Sequence, residues 1–487
     1  MSVTRDSASA EVIEGAEGAG PAPAAESEAV TAARKANTPA RVISASMVGT
    51  TIEFFDFYAY ATASSLVFPA LFFPNQTSTT QLLSSFAIFG VAFIARPLGS
   101  VLFGHFGDRV GRKKTLVASL LIMGIGTFFI GLLPTAATPG WLILAPTLLV
   151  ILRFSQGIGL GGEWSGAALL ATENAPKGKR AIYGTFPQLG APAGFIIANI
   201  FFVVIVAVLS EEAFLTWGWR VPFLMSALLV AVGLYVRFKL METPAFQKAS
   251  EKQEIAKAPL GQVFRSSWKA LVLGTMAMVG TYVIFYFMTS FTLTWGATAA
   301  TAEQAAAAAA AAGNSFDAST FVPGLGYPKT EFLVYLIIGE VFFAISIFLS
   351  GILSEKLGRK RLLLLGTAAT AVYGLLVQPL FTAGTWGVIL GLILGFTIVG
   401  QTFGPMAAFL PELFPVNVRY TGSAIAYNMG SVIGAGPAPF VLVALWQAEG
   451  GSIWSVGGYI VVAAAVTALF IAMTKETKDL DFEAQLS

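Results

Sequence analysis

The sequence contains no cysteine and a single histidine in 487 residues, and only 11% of its residues are charged. Without cysteine the chain can form no disulfide bond, and the common ligands of a zinc site are missing. A soluble protein carries about 25% charged residues, so this deficit places most of the chain in lipid. The mean hydropathy of +0.73 agrees with that placement. We expect no metal, no cofactor and no nucleic-acid partner.

Twelve apolar runs follow a polar N-terminal tail, and each reaches the roughly 20 residues that a membrane-spanning helix requires. The tail, residues 1–40, has the composition of a disordered segment and lacks the apolar core of a signal peptide. The runs predict an all-α membrane protein with twelve transmembrane helices. We place them at about 42–68, 81–103, 115–133, 142–171, 181–209, 221–240, 268–295, 331–353, 362–382, 386–410, 420–445 and 455–474.

Most of the 29 lysine and arginine residues fall in the two tails and in alternate loops on one side of the predicted membrane. The positive-inside rule assigns that side, and both termini, to the cytoplasm. The predicted organisation is a tail (1–40), a six-helix bundle (41–240), a polar linker (241–267), a second six-helix bundle (268–474) and a C-terminal tail (475–487). The second bundle carries an alanine-rich outer loop, 296–328, to which we assign no function.

A short stretch rich in glycine and charge, G-H-F-G-D-R-V-G-R-K-K at 104–114, lies between two apolar runs and predicts a polar loop at the membrane surface. A related stretch begins at Gly351, and an E-x-x-P-x-x-x-R motif occurs at both 173–180 and 412–419. Two motifs that recur in the same order indicate a duplicated unit of roughly 240 residues. We predict that these motifs hold the helix ends together as a gate. The gate residues are Gly104, Asp108, Arg109, Gly111, Arg112, Glu163, Glu173, Arg180, Glu355, Gly358, Arg359, Glu412 and Arg419.

Two carboxylates lie within the first predicted span, where ionisable groups are functional candidates by default. Glu53 and Asp56 fall about 16 and 21 Å from the cytoplasmic start of the span, near the middle of the membrane. Tyr60 shares their helical face. We expect this pair to take part in proton coupling or in substrate binding. The alternative is that a carboxylate here serves only as the partner of a basic group.

Arg153 lies about 16 Å into the fourth span from the opposite side, level with the two carboxylates. A buried arginine needs an anionic partner, which predicts pairing with Asp56, with Glu53 or with a substrate carboxylate. Glu163 lies about 15 Å further along, so we assign it to an inner gate. Arg96 is expected roughly 10 Å from the inner end of its span, and we interpret it as structural.

Glu340 is a third buried carboxylate, about 12–14 Å into the eighth span, and a further candidate for proton coupling. Uncharged polar groups within the spans are substrate candidates, although packing between helices explains each of them as easily. The predicted substrate-binding set is Arg153, Tyr60, Gln156, Gln188, Asn199, Tyr286, Gln401 and Asn428.

These motifs carry a family resemblance. G-x-x-x-D-R-x-G-R-K at 104–113, its degenerate copy at 351–360 and R-x-x-Q-G at 153–157 resemble signatures of the major facilitator superfamily. E-F-F-D-F at 53–57, A-R-P-L-G at 95–99, G-G-E-W at 161–164 and P-E-L-F-P-x-x-V-R-Y-T-G at 411–422 are similar to the metabolite:H+ symporter family of shikimate, α-ketoglutarate, citrate and proline/betaine carriers. The resemblance implies two pseudo-symmetric six-helix bundles around a central cavity.

The same resemblance implies uptake driven by the proton gradient across the bacterial cytoplasmic (inner) membrane. The extended C-terminal coiled coil of osmosensory proline/betaine carriers is not found after residue 475, which favours an organic acid as substrate. We therefore expect a monomeric, membrane-embedded symporter of a small metabolite and H+, working by alternating access. A passive facilitator and a proton-coupled exporter are the alternatives. An enzyme is not expected, because no nucleophile–base pair, metal set or phosphate loop is present.

Overall fold

The computed structural model describes residues 39–110, 112–238, 259–311, 316–415 and 418–480, and within these ranges it consists of helices joined by turns and irregular segments, without a strand. Twelve long helices follow one another along the chain. They are α1 (Pro39–Leu66), α2 (Ser78–Val110), α3 (Arg112–Leu132), α4 (Leu144–Glu173), α5 (Arg180–Val208), α6 (Val221–Phe238), α7 (Trp268–Tyr286), α8 (Lys329–Leu357), α9 (Arg359–Phe381), α10 (Thr385–Phe403), α11 (Arg419–Gly430) and α12 (Trp454–Met473).

Three of the long helices continue after an irregular turn. Helix α7 passes through a π-helical turn into Thr292–Ala297, α10 continues as Met406–Glu412, and α11 passes through a second π-helical turn into Ala438–Ala448. The π-helical turns are Phe287–Phe291 and Ser431–Ala435. Short helices outside the spans are Phe68–Phe72, Glu211–Thr216, Pro259–Ser266 and Ala302–Ala311, and 3-10 turns lie at Gly218–Arg220 and Ala318–Thr320.

Each predicted span is a helix, which confirms the all-α fold. Eleven helices of the described chain are long and apolar enough to cross a membrane. Helix α1 is the exception in hydropathy, because Glu53 and Asp56 interrupt its apolar sequence together with several hydroxyl side chains. Its length of 28 residues, about 42 Å, still exceeds the hydrocarbon thickness of about 30 Å.

The helices form two bundles with the same internal arrangement. In the first, α1 packs against α5, α2 against α4 and α3 against α6. In the second, α7 packs against α11, α8 against α10 and α9 against α12, so each pair recurs six helices later. The bundles meet where α2 packs on α11 and α5 packs on α8, which is again a symmetric exchange. This arrangement is that expected of the duplicated unit.

The stretch at 104–114 differs from its prediction as a surface loop, because α2 continues as helix to Val110 and α3 begins at Arg112. A polar helix end outside the hydrocarbon satisfies its own backbone, so no loop is required. Gly104 instead allows close packing: a Cβ there would lie 3.5 Å from Oγ1 of Thr421 in the other bundle. Gly351 likewise lies against Thr185, and Gly358 of the second copy takes a positive φ, +94°.

The alanine-rich loop contains the helix Ala302–Ala311 and an extended return segment that is bonded to the end of α7's continuation. In that segment the amide of Gly324 donates to the carbonyl of Ala299 at 2.8 Å, and the amide of Leu325 donates to Trp295 at 2.9 Å. The predicted N-terminal tail up to residue 38, the linker over 239–258 and the C-terminal residues 481–487 lie outside the described residues.

Candidate functional site

A small cavity of about 20 Å³ lies between the two bundles. Its lining comes from both of them, with Phe54 and Arg96 on one side and Tyr282, Tyr286 and Tyr427 on the other. A single water needs at least about 10–15 Å³, so this space is the size of one water molecule. The two bundles are therefore closed on each other at their centre.

Arg96 of α2 is the cation that lines this cavity, and its side chain makes no hydrogen bond or ion pair to the described chain. It is 5% exposed, and its guanidinium lies over the rings of Phe57 at 5.0 Å and Phe93 at 4.7 Å. The apolar span within α2 ends at Gly104, which puts Arg96 about 12 Å from the inner end of the span, close to the expected depth of roughly 10 Å. The interpretation of Arg96 as structural stays a prediction.

The three predicted coupling carboxylates are all buried, and each has an oxygen without a partner in the described chain. Oδ2 of Asp56 accepts a hydrogen bond from Thr127 at 2.9 Å, but its Oδ1 has no donor. Oε2 of Glu53 and both oxygens of Glu340 are likewise without donors. An ionised carboxylate in this environment would need a cation or a donor at the bare oxygen. The arrangement thus suits groups that exchange a proton.

Arg153 does not form the expected ion pair with Asp56 or Glu53. Its Nη1 donates to Oε1 of Gln156 at 3.0 Å, Nε2 of Gln156 donates to Thr127 at 2.7 Å, and Thr127 donates to Asp56. Two neutral side chains therefore connect the arginine to the carboxylate. The direct pair was expected because both groups have the same depth, but depth alone does not fix the distance between two helices.

Aromatic rings surround the guanidinium of Arg153, which is fully buried. Its Cζ lies 4.1 Å from the ring centroid of Tyr60, 4.8 Å from Phe57 and 4.9 Å from Phe89. Each such contact stabilises a desolvated cation by up to about 2 kcal/mol. Arg153 and Tyr60 thus lie beside the central cavity without lining it.

Glu163 forms a buried ion pair with Arg237, the arginine of α6. Arg237 also donates to the carbonyl oxygen of Leu116, and Ser119 donates to the second oxygen of Glu163 at 2.9 Å. The pair therefore ties α3, α4 and α6 together. These contacts lie within the first bundle, so the assignment of Glu163 to an inner gate stays a prediction. Arg237 was not predicted as a site residue, because an arginine at the inner end of a span is what the positive-inside rule leads one to expect.

The gate residues of the second bundle lie together at the end of the molecule that carries the basic loops, hereafter the basic end. Arg359 pairs with Glu355 at 2.8 Å and with Glu412 at 3.4 Å. Glu355 also accepts a hydrogen bond from the amide of Ala181 in the first bundle, at 2.6 Å. A carboxylate at the start of α5 also interacts favourably with that helix dipole. Glu355 thereby joins the two bundles.

Further contacts hold the remaining gate residues. Nη1 of Arg180 donates to the carbonyl oxygen of Leu480 at 2.7 Å, which joins α5 to the C-terminal segment. Nε of Arg419 donates to Phe414 at 3.3 Å, and Glu173 ends α4. The side chains of Asp108, Arg109 and Arg112, and the whole of Gly111, lie outside the described residues.

The uncharged substrate candidates lie mostly in helix packing in this closed conformation. Asn199 accepts from Thr62 at 2.9 Å within the first bundle, and Nε2 of Gln401 donates to Ser346 at 2.8 Å within the second. Tyr286 lines the central cavity. Among the predicted substrate residues described here, it alone does so.

Gln188 and Asn428 connect the two bundles. Gln188 accepts from the indole of Trp164 at 2.8 Å and donates to the carbonyl of Phe403 at 2.7 Å. Asn428 donates to Ser100 at 2.6 Å and to the carbonyl of Gly161 at 2.9 Å. Close helix approach at the glycines leaves such backbone carbonyls accessible to a side chain of the other bundle.

The chain is similar to known proteins over most of its length. The family model for sugar (and other) transporters matches residues 42–485. The inner membrane metabolite transport protein YhjE of Escherichia coli K12 is 46% identical over 444 residues, which cover 91% of this chain and 95% of that protein. The shikimate transporter of the same strain is 32% identical over 442 residues, which cover 89% of this chain and 94% of that transporter.

The fold is also found among solved structures. The proton:xylose symporter XylE bound to 6-bromo-6-deoxy-D-glucose superimposes with a TM-score of 0.73 at 18% identity, covering 92% of this chain and 98% of XylE. The likeness at that identity shows the fold, and the sequence relatives show the family. The chain therefore belongs to the sugar (and other) transporter family of the major facilitator superfamily and is a membrane transporter of metabolites, not an enzyme.

Proposed function

We propose that this protein imports a small organic acid together with a proton, by alternating access through the central cavity. The observation that carries the proposal is the unpaired Arg96 in a cavity between the two bundles. A buried guanidinium without an ion-paired or hydrogen-bonded acceptor is unfavourable, and an anionic substrate supplies such an acceptor. The bare oxygens of Glu53, Asp56 and Glu340 provide places for the coupled proton.

The same proposal includes the membrane in which the protein lies, its orientation there and its oligomeric state. The proton gradient that would drive uptake exists across the bacterial cytoplasmic membrane, and YhjE is an inner membrane protein. We assign the basic end and both termini to the cytoplasm, because the lysine and arginine residues concentrate there. One chain encloses the cavity, which supports a monomer as the working unit.

A passive facilitator is the second candidate, and it makes a different prediction for the carboxylates. In a symporter, Asp56→Asn removes an exchangeable proton and abolishes accumulation, while exchange of labelled substrate across the membrane continues. In a facilitator, both activities survive the substitution. Glu331→Gln is a matched control, because Glu331 is exposed at the start of α8 and far along the helix from Glu340.

The test uses purified protein in proteoliposomes with an imposed proton gradient, acid outside, and a labelled organic acid. We expect accumulation above the equilibrium distribution that collapses when a protonophore is added. Asp56→Asn should lose this accumulation with normal insertion. Equal accumulation with and without the gradient, or outward transport of the label under the same gradient, would exclude proton-driven import.

A further inference from the structure

Two buried polar side chains face the central cavity from opposite bundles. Arg96 of α2 and Thr281 of α7 both line it, and neither Nε of Arg96 nor Oγ1 of Thr281 has a hydrogen-bond partner in the described chain. Burial of a polar group without a partner costs about 1–3 kcal/mol, so such groups call for an explanation. A ligand in the cavity that bonds to both side chains would remove the cost for both.

Thr281 differs in this respect from threonines in the π-helical turn and the continuation that follow α7. Thr289 donates to the carbonyl of Phe285 at 2.9 Å, and Thr292 donates to Met288 at 2.5 Å. A hydroxyl in a helix normally bonds to the carbonyl one turn earlier in this way. The hydroxyl of Thr281 makes no such bond, although the residue is only 3% exposed. It therefore remains able to bond to a molecule in the cavity.

Arg96 differs from the other buried arginines in the same way. Arg237 pairs with Glu163, Arg359 pairs with Glu355, and Arg153 donates to Gln156. Arg96 has the faces of two aromatic rings but no acceptor in the described chain. The guanidinium fork matches a carboxylate in shape and charge. This match identifies the charged group of the ligand.

Aromatic side chains make up most of the rest of the cavity lining. The ring centroids of Tyr286 and Phe93 lie 5.4 Å apart, and those of Tyr286 and Phe285 lie 5.3 Å apart. Flat apolar faces of this kind pack well against a ring. They also attract cations, but no carboxylate lines the cavity and Arg96 would repel a second positive charge. The lining therefore favours a ring with one negative charge over a zwitterionic or cationic ligand.

We propose that the substrate is a ring-bearing hydroxycarboxylic acid, whose carboxylate binds Arg96 and whose hydroxyl group bonds to Thr281. The proposal rests on the function proposed above and narrows its substrate class. The present volume of about 20 Å³ requires the bundles to part before such a molecule enters. Because α2 and α7 belong to different bundles, a ligand held by both residues would pull the bundles together and favour the closed conformation.

The test compares binding of four probes to the purified full-length protein in detergent by isothermal titration calorimetry. Shikimate has the ring, the carboxylate and hydroxyl groups, cyclohexanecarboxylate lacks the hydroxyls, succinate lacks the ring, and glycine betaine adds a cation. We expect shikimate to bind most tightly. Loss of a neutral hydrogen bond of about 0.5–1.5 kcal/mol makes cyclohexanecarboxylate about 2- to 10-fold weaker.

The variants assign each part of the ligand to a residue. Arg96→Gln should weaken binding of both ring acids by about 10- to 150-fold, the effect of a hydrogen bond to a charged group. Thr281→Val should lower the affinity for shikimate to that for cyclohexanecarboxylate, and it should leave the affinity for cyclohexanecarboxylate unchanged. Thr289→Val is the matched control, because its hydroxyl bonds to its own helix, and it should change neither affinity.

Several results would overturn the proposal. They are tighter binding of succinate or glycine betaine than of shikimate, binding of none of the four probes, and unchanged shikimate affinity in Arg96→Gln. If that variant does not fold, equal effects of Thr281→Val on both ring acids would also count against it. Proton-driven accumulation of succinate would leave the proposed function intact while removing this inference. Binding of shikimate that depends on Arg96, without proton-driven accumulation, would support this inference while removing the proposed function.

Discussion

The contact between Glu355 and α5 allows a sharp prediction about the closed basic end. Glu355 bonds to Arg359 within its own bundle and accepts the amide of Ala181 from the other bundle. Replacing Glu355 with Ala removes the contact between bundles, while Arg359 keeps Glu412 as a partner. The variant should therefore open the basic end without leaving an unpaired buried cation.

The size of the effect follows from the chemistry of the lost bond. A hydrogen bond to a charged group contributes about 1.5–3 kcal/mol, which corresponds to about 10- to 150-fold in an equilibrium constant. The side chain of Glu355 is 11% exposed, so solvent weakens the interaction little. Glu355→Gln keeps an acceptor for the amide but loses the charge, and its effect should be smaller than that of Glu355→Ala.

The natural absence of cysteine makes the measurement direct. In a Ser423→Cys background the new thiol replaces a fully buried hydroxyl, 3.4 Å from Ser165 across the bundle interface. Its rate of reaction with N-ethylmaleimide reports the open population when closing is fast. We expect Glu355→Ala to raise this rate by about tenfold or more.

Two controls separate opening from general loosening. Ser266→Cys lies on an exposed position before α7 and should react at the same rate with and without Glu355→Ala. Glu331→Ala removes an equal charge at the other end of α8 and should leave Ser423→Cys protected. An unchanged labelling rate of Ser423→Cys in the Glu355→Ala variant would refute this role of Glu355.

Two further predictions concern the first bundle. Arg237→Ala leaves Glu163 buried without its cation, so we expect a loss of about 3–5 kcal/mol of stability and a clearly lower melting temperature in detergent. Combining Arg237→Met with Glu163→Gln should restore most of the loss, and no recovery would argue against the ion pair as its cause. Gly161→Ala should also lower the melting temperature, because its Cβ would lie 2.7 Å from the amide nitrogen of Ser100. Overpacking of this kind costs about 1–3 kcal/mol of stability. Gly261→Ala, with no heavy atom within 4 Å, should change nothing.

The sequence was sufficient to predict the helices because a spanning segment must satisfy its backbone internally, and only a long apolar run can do so. It could not fix where helices end outside the membrane, since polar residues such as those before Val110 continue a helix equally well in water. The end of α2 shows this, because the helix continues to Val110 although its apolar span ends at Gly104. The depth of Arg96 was predictable, but its place in the cavity between the bundles depends on how α2 and α7 approach each other.

The carboxylates were predictable as buried groups, but their partners were not. The spacing of Arg153 and Gln156, three residues apart on one helix, could have indicated their contact. The next step, from Gln156 to Thr127 and then to Asp56, joins three helices and depends on how those helices rotate and approach. The sequence gives the depth of each residue in the membrane but not the distance between helices. A direct ion pair between Arg153 and Asp56 and a connection through Gln156 and Thr127 are therefore equally compatible with it.

The hydrogen bonds that cross the basic end bear on how the two bundles could separate. Four of those described join the side chains of Asn428, Tyr420, Gln188 and Glu355 to backbone groups of the other bundle. Water replaces such bonds when the bundles part, so each of the three neutral bonds contributes about 0.5–1.5 kcal/mol net, the bond to the charged Glu355 about 1.5–3 kcal/mol, and the four together roughly 3–7.5 kcal/mol. Reversal of a two-state equilibrium from 1:99 to 99:1 needs about 5.5 kcal/mol. The closed end is thus stable enough to exclude leakage, yet within the range that binding of a substrate and a proton can reverse.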